Sequence, residues 1–257
     1  MTRYVALGSS MAAGPGIAPK APGSPPAAMR SARNYPHLVA RDLGLDLVDV
    51  TYSGATTAHV LTDSQHGEPP QVEALDGSEA LVTVTIGGND VGYVPMLCAA
   101  ALPAPLRWLP PLRGMRDPAA RRRDLRAVAD KLVRVGSEIR RRSPQARVMF
   151  VDYLTLLPPR GTASPLSPRD VDLGREVAAE LERLTAAAAG TTGCGVVRAA
   201  AASRDHHAWS ARPWTTLPSR FPVPIPGHTA PLHPNADGMR AVADLVVSEC
   251  GVAEIRT

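Results

Sequence analysis

The sequence predicts an α/β fold: one three-layer α/β/α domain over residues 1–257, with a five-stranded, mainly parallel sheet in flavodoxin-like doubly wound order. Three observations predict it. Short apolar runs alternate with longer amphipathic stretches along the chain. The runs are continuously apolar, as strands buried on both faces must be. The stretches joining runs and helices are long and rich in Pro, Ala and Ser, the mark of functional loops gathered at strand ends.

The elements follow in order. "RYVALG" (3–8) is the first strand, "YPHLVARDLG" (35–44) a helix and "LDLVDV" (45–50) the second strand. "ALVTVTIGG" (80–88) is the third strand, and a basic helix follows it. "ARVMFVDYL" (146–154) is the fourth, a helix runs over 170–190, and "GVVRAA" (195–200) is the fifth. A last helix spans 234–250. Residues 15–34, 91–115 and 201–232 read as long loops, which 26 prolines against 2 phenylalanines stiffen around a core of small aliphatics.

The net charge of +4 has one source: ten Arg or Lys against four Asp or Glu between Arg116 and Arg142. In "RRRDLRAVADKLVRVGSEIRRRS" the residues Leu125, Val128, Leu132, Val135 and Ile139 recur at steps of three and four, the apolar stripe of an amphipathic helix. Its arginines fall on the other face. No aromatic interleaving or nucleic-acid motif accompanies them, so the reading is a solvated face and not a nucleic-acid or membrane patch. Three widely spaced cysteines, Cys98, Cys194 and Cys250, offer neither a paired disulfide framework nor a CxxC metal site. No leader and no membrane span is visible, so a cytoplasmic protein without stable membrane insertion is expected; a secreted chain stripped of its leader reads the same. Oligomeric state is not legible.

The chemistry starts at "YVALGSSMAAGPG" (4–16), where an apolar run ends at a glycine and two serines. Gly8, Gly14 and Gly16 satisfy neither the phosphate-loop nor the dinucleotide spacing. Gly8-Ser9-Ser10-Met11-Ala12 comes near a nucleophile elbow, but after the first strand instead of a later one. Three further stretches sit at strand or helix ends. "YSGATT" (52–57) puts Gly54 beyond the second strand, "TIGGNDVG" (85–92) puts Asn89 beyond the third, and "LHPNADGMRAVADLV" (232–246) puts His233 before the last helix.

In order and placement these four blocks resemble those of the SGNH hydrolases, the GDSL-type esterases and lipases, from Gly8 to Val246. The resemblance implies a serine esterase working through an acyl-enzyme, and the Met, Leu, Trp and Pro of the long loops allow an apolar acyl group, expected to be small or medium. Ester attack needs an activated hydroxyl, a base for its proton, and donors aimed at the developing oxyanion. Ser10 takes the first role and His233 the second. The resemblance assigns the oxyanion donors to the N–H groups of Ser10 and Gly54 and the amide of Asn89. Pro234 reads as the first residue of the helix, whose positive end keeps His233 neutral. "SRDHHAWSARPW" (203–214) is similar to a stretch lining the active-site entrance in actinobacterial members, which implies substrate-binding roles for His206, His207 and Trp209.

Two positions depart from the family pattern. Ser9 stands where Asp usually precedes the serine, and Ala230 stands where an Asp usually lies three residues before the histidine. The first departure means that bracing of the oxyanion loops must come from elsewhere. The second removes the carboxylate of the triad, and the backbone carbonyl of Ala230 is the expected orienter of His233 in a Ser-His dyad, with Asp205 and Asp237 as alternative acids. No metal and no cofactor is expected, because His206 and His207 have no third ligand at a convincing spacing. Two rivals stand beside the esterase: an acyltransferase or thioesterase using the same site, and a non-catalytic carbohydrate- or lipid-binding module on a degenerate scaffold.

Overall fold

Residues 2–219 and 228–251 are described by the computed structural model; part of the loop expected over 201–232, and both chain ends, lie outside them. The five expected strands all form: β1 (Arg3–Gly8), β2 (Asp46–Asp49), β3 (Glu79–Thr85), β4 (Arg147–Val151) and β5 (Gly195–Val197). They pair in the order β2-β1-β3-β4-β5 with every neighbour parallel, so the sheet is wholly parallel and takes the doubly wound order the sequence predicts.

The helices number more than the sequence shows. Along the described residues they run α1 (Ser10–Ala13), α2 (Tyr35–Leu43), α3 (Thr57–Leu61), α4 (Tyr93–Ala101), α5 (Ala104–Arg107), α6 (Pro110–Met115), α7 (Pro118–Arg142), α8 (Pro168–Thr191), α9 (Ala199–Ala202) and α10 (Ala236–Cys250). The expected loop 91–115 is therefore three helices. α4 is apolar nearly all round, buried against α6 and α8, and so carries no amphipathic period to read.

Alternation along the strands splits the core into two layers. Val5 and Leu7 of β1, with Val82 and Val84 of β3, face α7 and α8; Tyr4, Ala6 and Leu81 face α2 and α10. The apolar stripe of α7 is fully inside, from Leu125 to Ile139. Several of its outward cations are engaged locally: Arg122 pairs with Glu176, Arg141 and Arg142 pair with Glu138, and Arg140 donates to the carbonyls of Ala146 and Gly193. Helix starts follow local chemistry, with Asp117 capping α7 and Ser167 capping α8, each ahead of a proline at the first helical position.

Strand order reverses between β1 and β3, so the chain leaves these two neighbours in opposite directions and opens a crevice at their carboxyl ends. The two backbones approach closely there. Gly8 opposes Thr85 in register with φ +139°, and a Cβ on it would lie 2.5 Å from the Thr85 carbonyl oxygen. Only glycine fits. The Gln71 amide fastens this residue on its other side, accepting from the Gly8 N–H at 2.7 Å and donating to the Gly8 carbonyl at 3.0 Å.

Gln71 is buried, so Gln71→Ala leaves the Gly8 N–H without a partner or water, while the Gly8 carbonyl keeps its hydrogen bond from the Tyr52 N–H at 2.9 Å. We expect a loss of about 1–3 kcal/mol of stability, the cost of one unsatisfied buried group, read as a lower urea midpoint at unchanged m-value.

Candidate active site

Four distant segments meet at the crevice. Ser10 begins α1 directly after β1, and its hydroxyl lies 2.8 Å from Nε2 of His233, across 223 residues of sequence. Both side chains are buried except where they reach the wall of a cavity of about 400 Å³. Gly54 and Asn89 line the same cavity, as do Ala230 and Pro231.

The ring of His233 has one tautomer available to it. Nδ1 lies 2.8 Å from the carbonyl oxygen of Pro231, which can only accept, so the proton sits on Nδ1 and Nε2 keeps its lone pair for the Ser10 hydroxyl. The carbonyl expected here was that of Ala230; that oxygen instead accepts from Thr216 Oγ1 at 2.7 Å and the His233 N–H at 3.2 Å. The reason is Leu232. Its φ of +59° reverses the chain between Pro231 and His233 and swings the Pro231 oxygen round to the ring edge. A leucine pays about 1–2 kcal/mol for that conformation, and complete burial of its side chain holds it there. Among the described residues the ring's partners are Ser10 and Pro231, so neither Asp205 nor Asp237 replaces the carboxylate.

α10 also starts later than expected. Asn235 caps it by accepting from the Gly238 N–H, which leaves Pro234 and His233 outside the helix. Burial, more than a helix dipole, therefore keeps the imidazole neutral: it pushes the basicity of His233 below the usual imidazole range, and the hydrogen bond to Pro231 offsets only part of this.

Ser10, Gly54 and Asn89 bring three further polar groups to the cavity wall. Ser10 is the first residue of α1, where N–H groups lack intrahelical partners, and Gly54 turns its loop with φ +81°. Among the described residues neither N–H has a hydrogen-bond partner. The Asn89 amide donates one proton to the Ala55 carbonyl at 2.8 Å, which fixes the orientation of the group and leaves its second proton free. Asp90 ties the same two loops together, accepting from both the N–H and the hydroxyl of Thr57.

The profile of the GDSL-like Lipase/Acylhydrolase family matches residues 6–241, a span that holds all four segments. The chain belongs to this family. It is a lipase/esterase-type SGNH hydrolase, a carboxylic ester hydrolase acting on small-molecule esters. It is 33% identical to "Lipase 2" of Streptomyces coelicolor over 97% of its length and 86% of that protein's. Of solved structures, the extracellular lipase of Streptomyces rimosus superposes with a TM-score of 0.77 at 25% identity, covering 97% of this chain and 99% of that one. Phospholipase A1 of Streptomyces albidoflavus gives 0.74 at 26% identity, covering 96% and 98%.

Within this SGNH hydrolase, His206, His207 and Trp209 do not reach the cavity. The His206 ring stacks on Trp214 at 4.0 Å and its Nδ1 meets the Arg212 carbonyl, while Trp209 donates its indole N–H to the Ser164 carbonyl. Their polar edges are spent on backbone. The segment still serves the site from behind: Thr216 accepts from the Leu232 N–H and donates to the His233 carbonyl, and the Trp214 carbonyl accepts from the Asn235 N–H.

Bracing at Ser9, where the family carries a charge, comes from Tyr153. The Tyr153 hydroxyl accepts from the Gly88 N–H at 2.9 Å and shares a 3.4 Å hydrogen bond with Ser9 Oγ, linking the serine loop to the asparagine loop. Burial pushes this phenol up to about 12, so it stays neutral and keeps its proton to donate. No motif marks Tyr153 or Pro231 in the sequence. Only the position of Tyr153 just past β4, at the site end of the sheet, distinguished it.

Tyr153→Phe keeps the ring and removes the link. We expect kcat to fall on the order of tenfold through small misplacement of Asn89, with KM changed by less than about twofold. Steady-state kinetics on a soluble ester separates the two parameters.

Proposed function

We propose that the protein hydrolyses esters through an acyl-enzyme on Ser10, with His233 as general base in a Ser-His dyad and the Pro231 carbonyl as the ring's orienter. The observation that carries this reading is the 2.8 Å contact between the Ser10 hydroxyl and the unprotonated nitrogen of His233, at the wall of an open cavity. The imidazole takes the hydroxyl proton as Oγ attacks the carbonyl carbon. The N–H groups of Ser10 and Gly54 and the free Asn89 proton receive the oxyanion. Imidazolium then gives its proton to the leaving alcohol, and water repeats the sequence on the acyl-enzyme.

The substrate reading is a small or medium acyl group. Val94, Pro95, Cys98, Leu102, Leu112 and Met115 give the cavity an apolar wall, and its volume of about 400 Å³ suits an acyl chain of that length. That relatives of this chain are lipases and a phospholipase A1 supports an acyl group of lipid origin. The second reading, a non-catalytic module, has the missing carboxylate in its favour; the oriented dyad speaks against it. An acyltransferase differs only in the acceptor, and product analysis with added alcohol separates it from a hydrolase.

A fluorophosphonate probe is expected to label Ser10, with labelling and turnover abolished in Ser10→Ala and His233→Ala. Asn89→Ala should lose on the order of 100-fold or more in kcat, since it removes one oxyanion donor. Absence of labelling in the folded wild type overturns the catalytic reading.

The pH dependence has a definite sign. The base works only when neutral, and its burial lowers its basicity, so activity should persist as pH falls through about 6.5, the usual imidazole value, and be lost only at lower pH. A kcat/KM profile with its acid limb above that value contradicts this account of His233.

A further inference from the structure

Among the described residues the exposed large apolar side chains are Met29, Leu106, Trp108, Leu109, Met115 and Leu217. All of them lie on segments that supply the wall of the catalytic cavity. Met29 and Met115 line it, Leu217 lies two residues before the lining Ser219, and Leu106 on α5 with Trp108 and Leu109 between α5 and α6 precede the lining Leu112 of α6. Trp108 is 70% exposed. Apolar surface concentrated at one rim marks a contact site, whereas single scattered residues need no explanation.

The charge of this rim selects the contact. The stretch 102–116 holds three arginines and no acidic residue. Arg116 is committed to Asp170, but among the described residues no carboxylate pairs with Arg107 or Arg113. On α7 and α8 several arginines pair with a neighbouring Glu or Asp, and none of the exposed large apolar side chains lies on those two helices, so the combination of exposed apolar and cationic groups belongs to the rim. Exposed Trp and Leu interleaved with unpaired Arg on short surface helices is the chemistry of a segment that lies in the headgroup layer of an anionic lipid surface.

We propose that α5, α6 and the adjoining rim residues dock the protein on anionic phospholipid aggregates, with the cavity mouth facing the lipid. An acyl ester then passes from the aggregate into the cavity without crossing water. The inference rests on the cavity being the acyl site, but docking itself needs no chemistry. Trp108 and Leu109 lie outside the cavity wall and are solvent-exposed, so replacing them leaves core and catalytic groups untouched.

The test uses the full chain carrying Ser10→Ala, which leaves vesicles intact, in co-sedimentation with phosphatidylcholine vesicles and with equimolar phosphatidylcholine–phosphatidylglycerol vesicles. Binding to the mixed vesicles should be at least about tenfold stronger and should weaken with salt. Trp108→Ser with Leu109→Ser should reduce it at least about tenfold. Arg107→Gln with Arg113→Gln should remove the preference for anionic vesicles. The same substitutions with Ser10 intact should leave hydrolysis of a soluble p-nitrophenyl ester within about twofold of wild type. Absent binding, or binding indifferent to Trp108 and Leu109, overturns the proposal. So does a concentration-dependent dimer dissolved by the same substitutions, which assigns the rim to a second copy of the chain. Vesicle binding without any soluble-ester turnover leaves the docking surface standing and defeats the esterase reading instead.

Discussion

The backbone contact between Gly8 and Thr85 is the constraint on which the site depends. Two parallel strands can diverge at a switch point only if their ends first lie side by side. Here that approach leaves no room for a Cβ at position 8. The Ser9 N–H donates to the Thr85 carbonyl immediately beyond, so Ser10 is placed relative to β3 before any loop is considered. Asn89 is carried by the same β3. The proposed nucleophile and side-chain oxyanion donor are thus held by adjacent strand ends, the arrangement that gives positional precision without long flexible connections.

Precision at the other two positions is bought by loop-to-loop bonds. Gly54 is fixed through its neighbours: Ser53 donates to the Ala28 carbonyl, the Ser53 carbonyl accepts from Gln65, and Asp90 receives Thr57. His233 is held by pairing of Thr216 with its own backbone and by the buried Leu232. Every one of these bonds joins residues distant in sequence or in irregular chain. They explain why so much loop can surround the cavity and still present one geometry.

The strands, the long helices and the four segments of the site were legible because each rests on a local signal: a continuous apolar run, a three-and-four period, or a short motif. What escaped was set by tertiary context. The helices of 93–115 carry prolines and an all-apolar face that read as loop until a partner buries them. The substitution of the Pro231 carbonyl for that of Ala230 turns on the backbone sign of Leu232, a residue no sequence rule places in the left-handed region. His206, His207 and Trp209 have the composition of a binding loop, yet their ring atoms are consumed in holding the chain that supports His233. Residue type alone does not carry the direction in which their side chains point, which is away from the cavity wall.

Under the proposed Ser-His mechanism, the missing carboxylate changes where transition-state stabilisation must come from. A carbonyl at Nδ1 fixes the tautomer as a carboxylate does, but it adds no charge to offset imidazolium as that forms, and burial of the ring makes imidazolium costlier still. With less stabilisation available on the proton side, more must be supplied at the oxyanion. There each donor acts through its placement, because a fixed dipole in a dry site costs no reorganisation when charge develops. The Ser9–Tyr153–Gly88 link spans the two loops that carry Ser10 and Asn89, and so rigidifies that half of the site. On this proposal the two departures from the family pattern are coupled: the chain that gives up a carboxylate behind its histidine keeps a neutral, buried phenol bracing the proposed oxyanion donors.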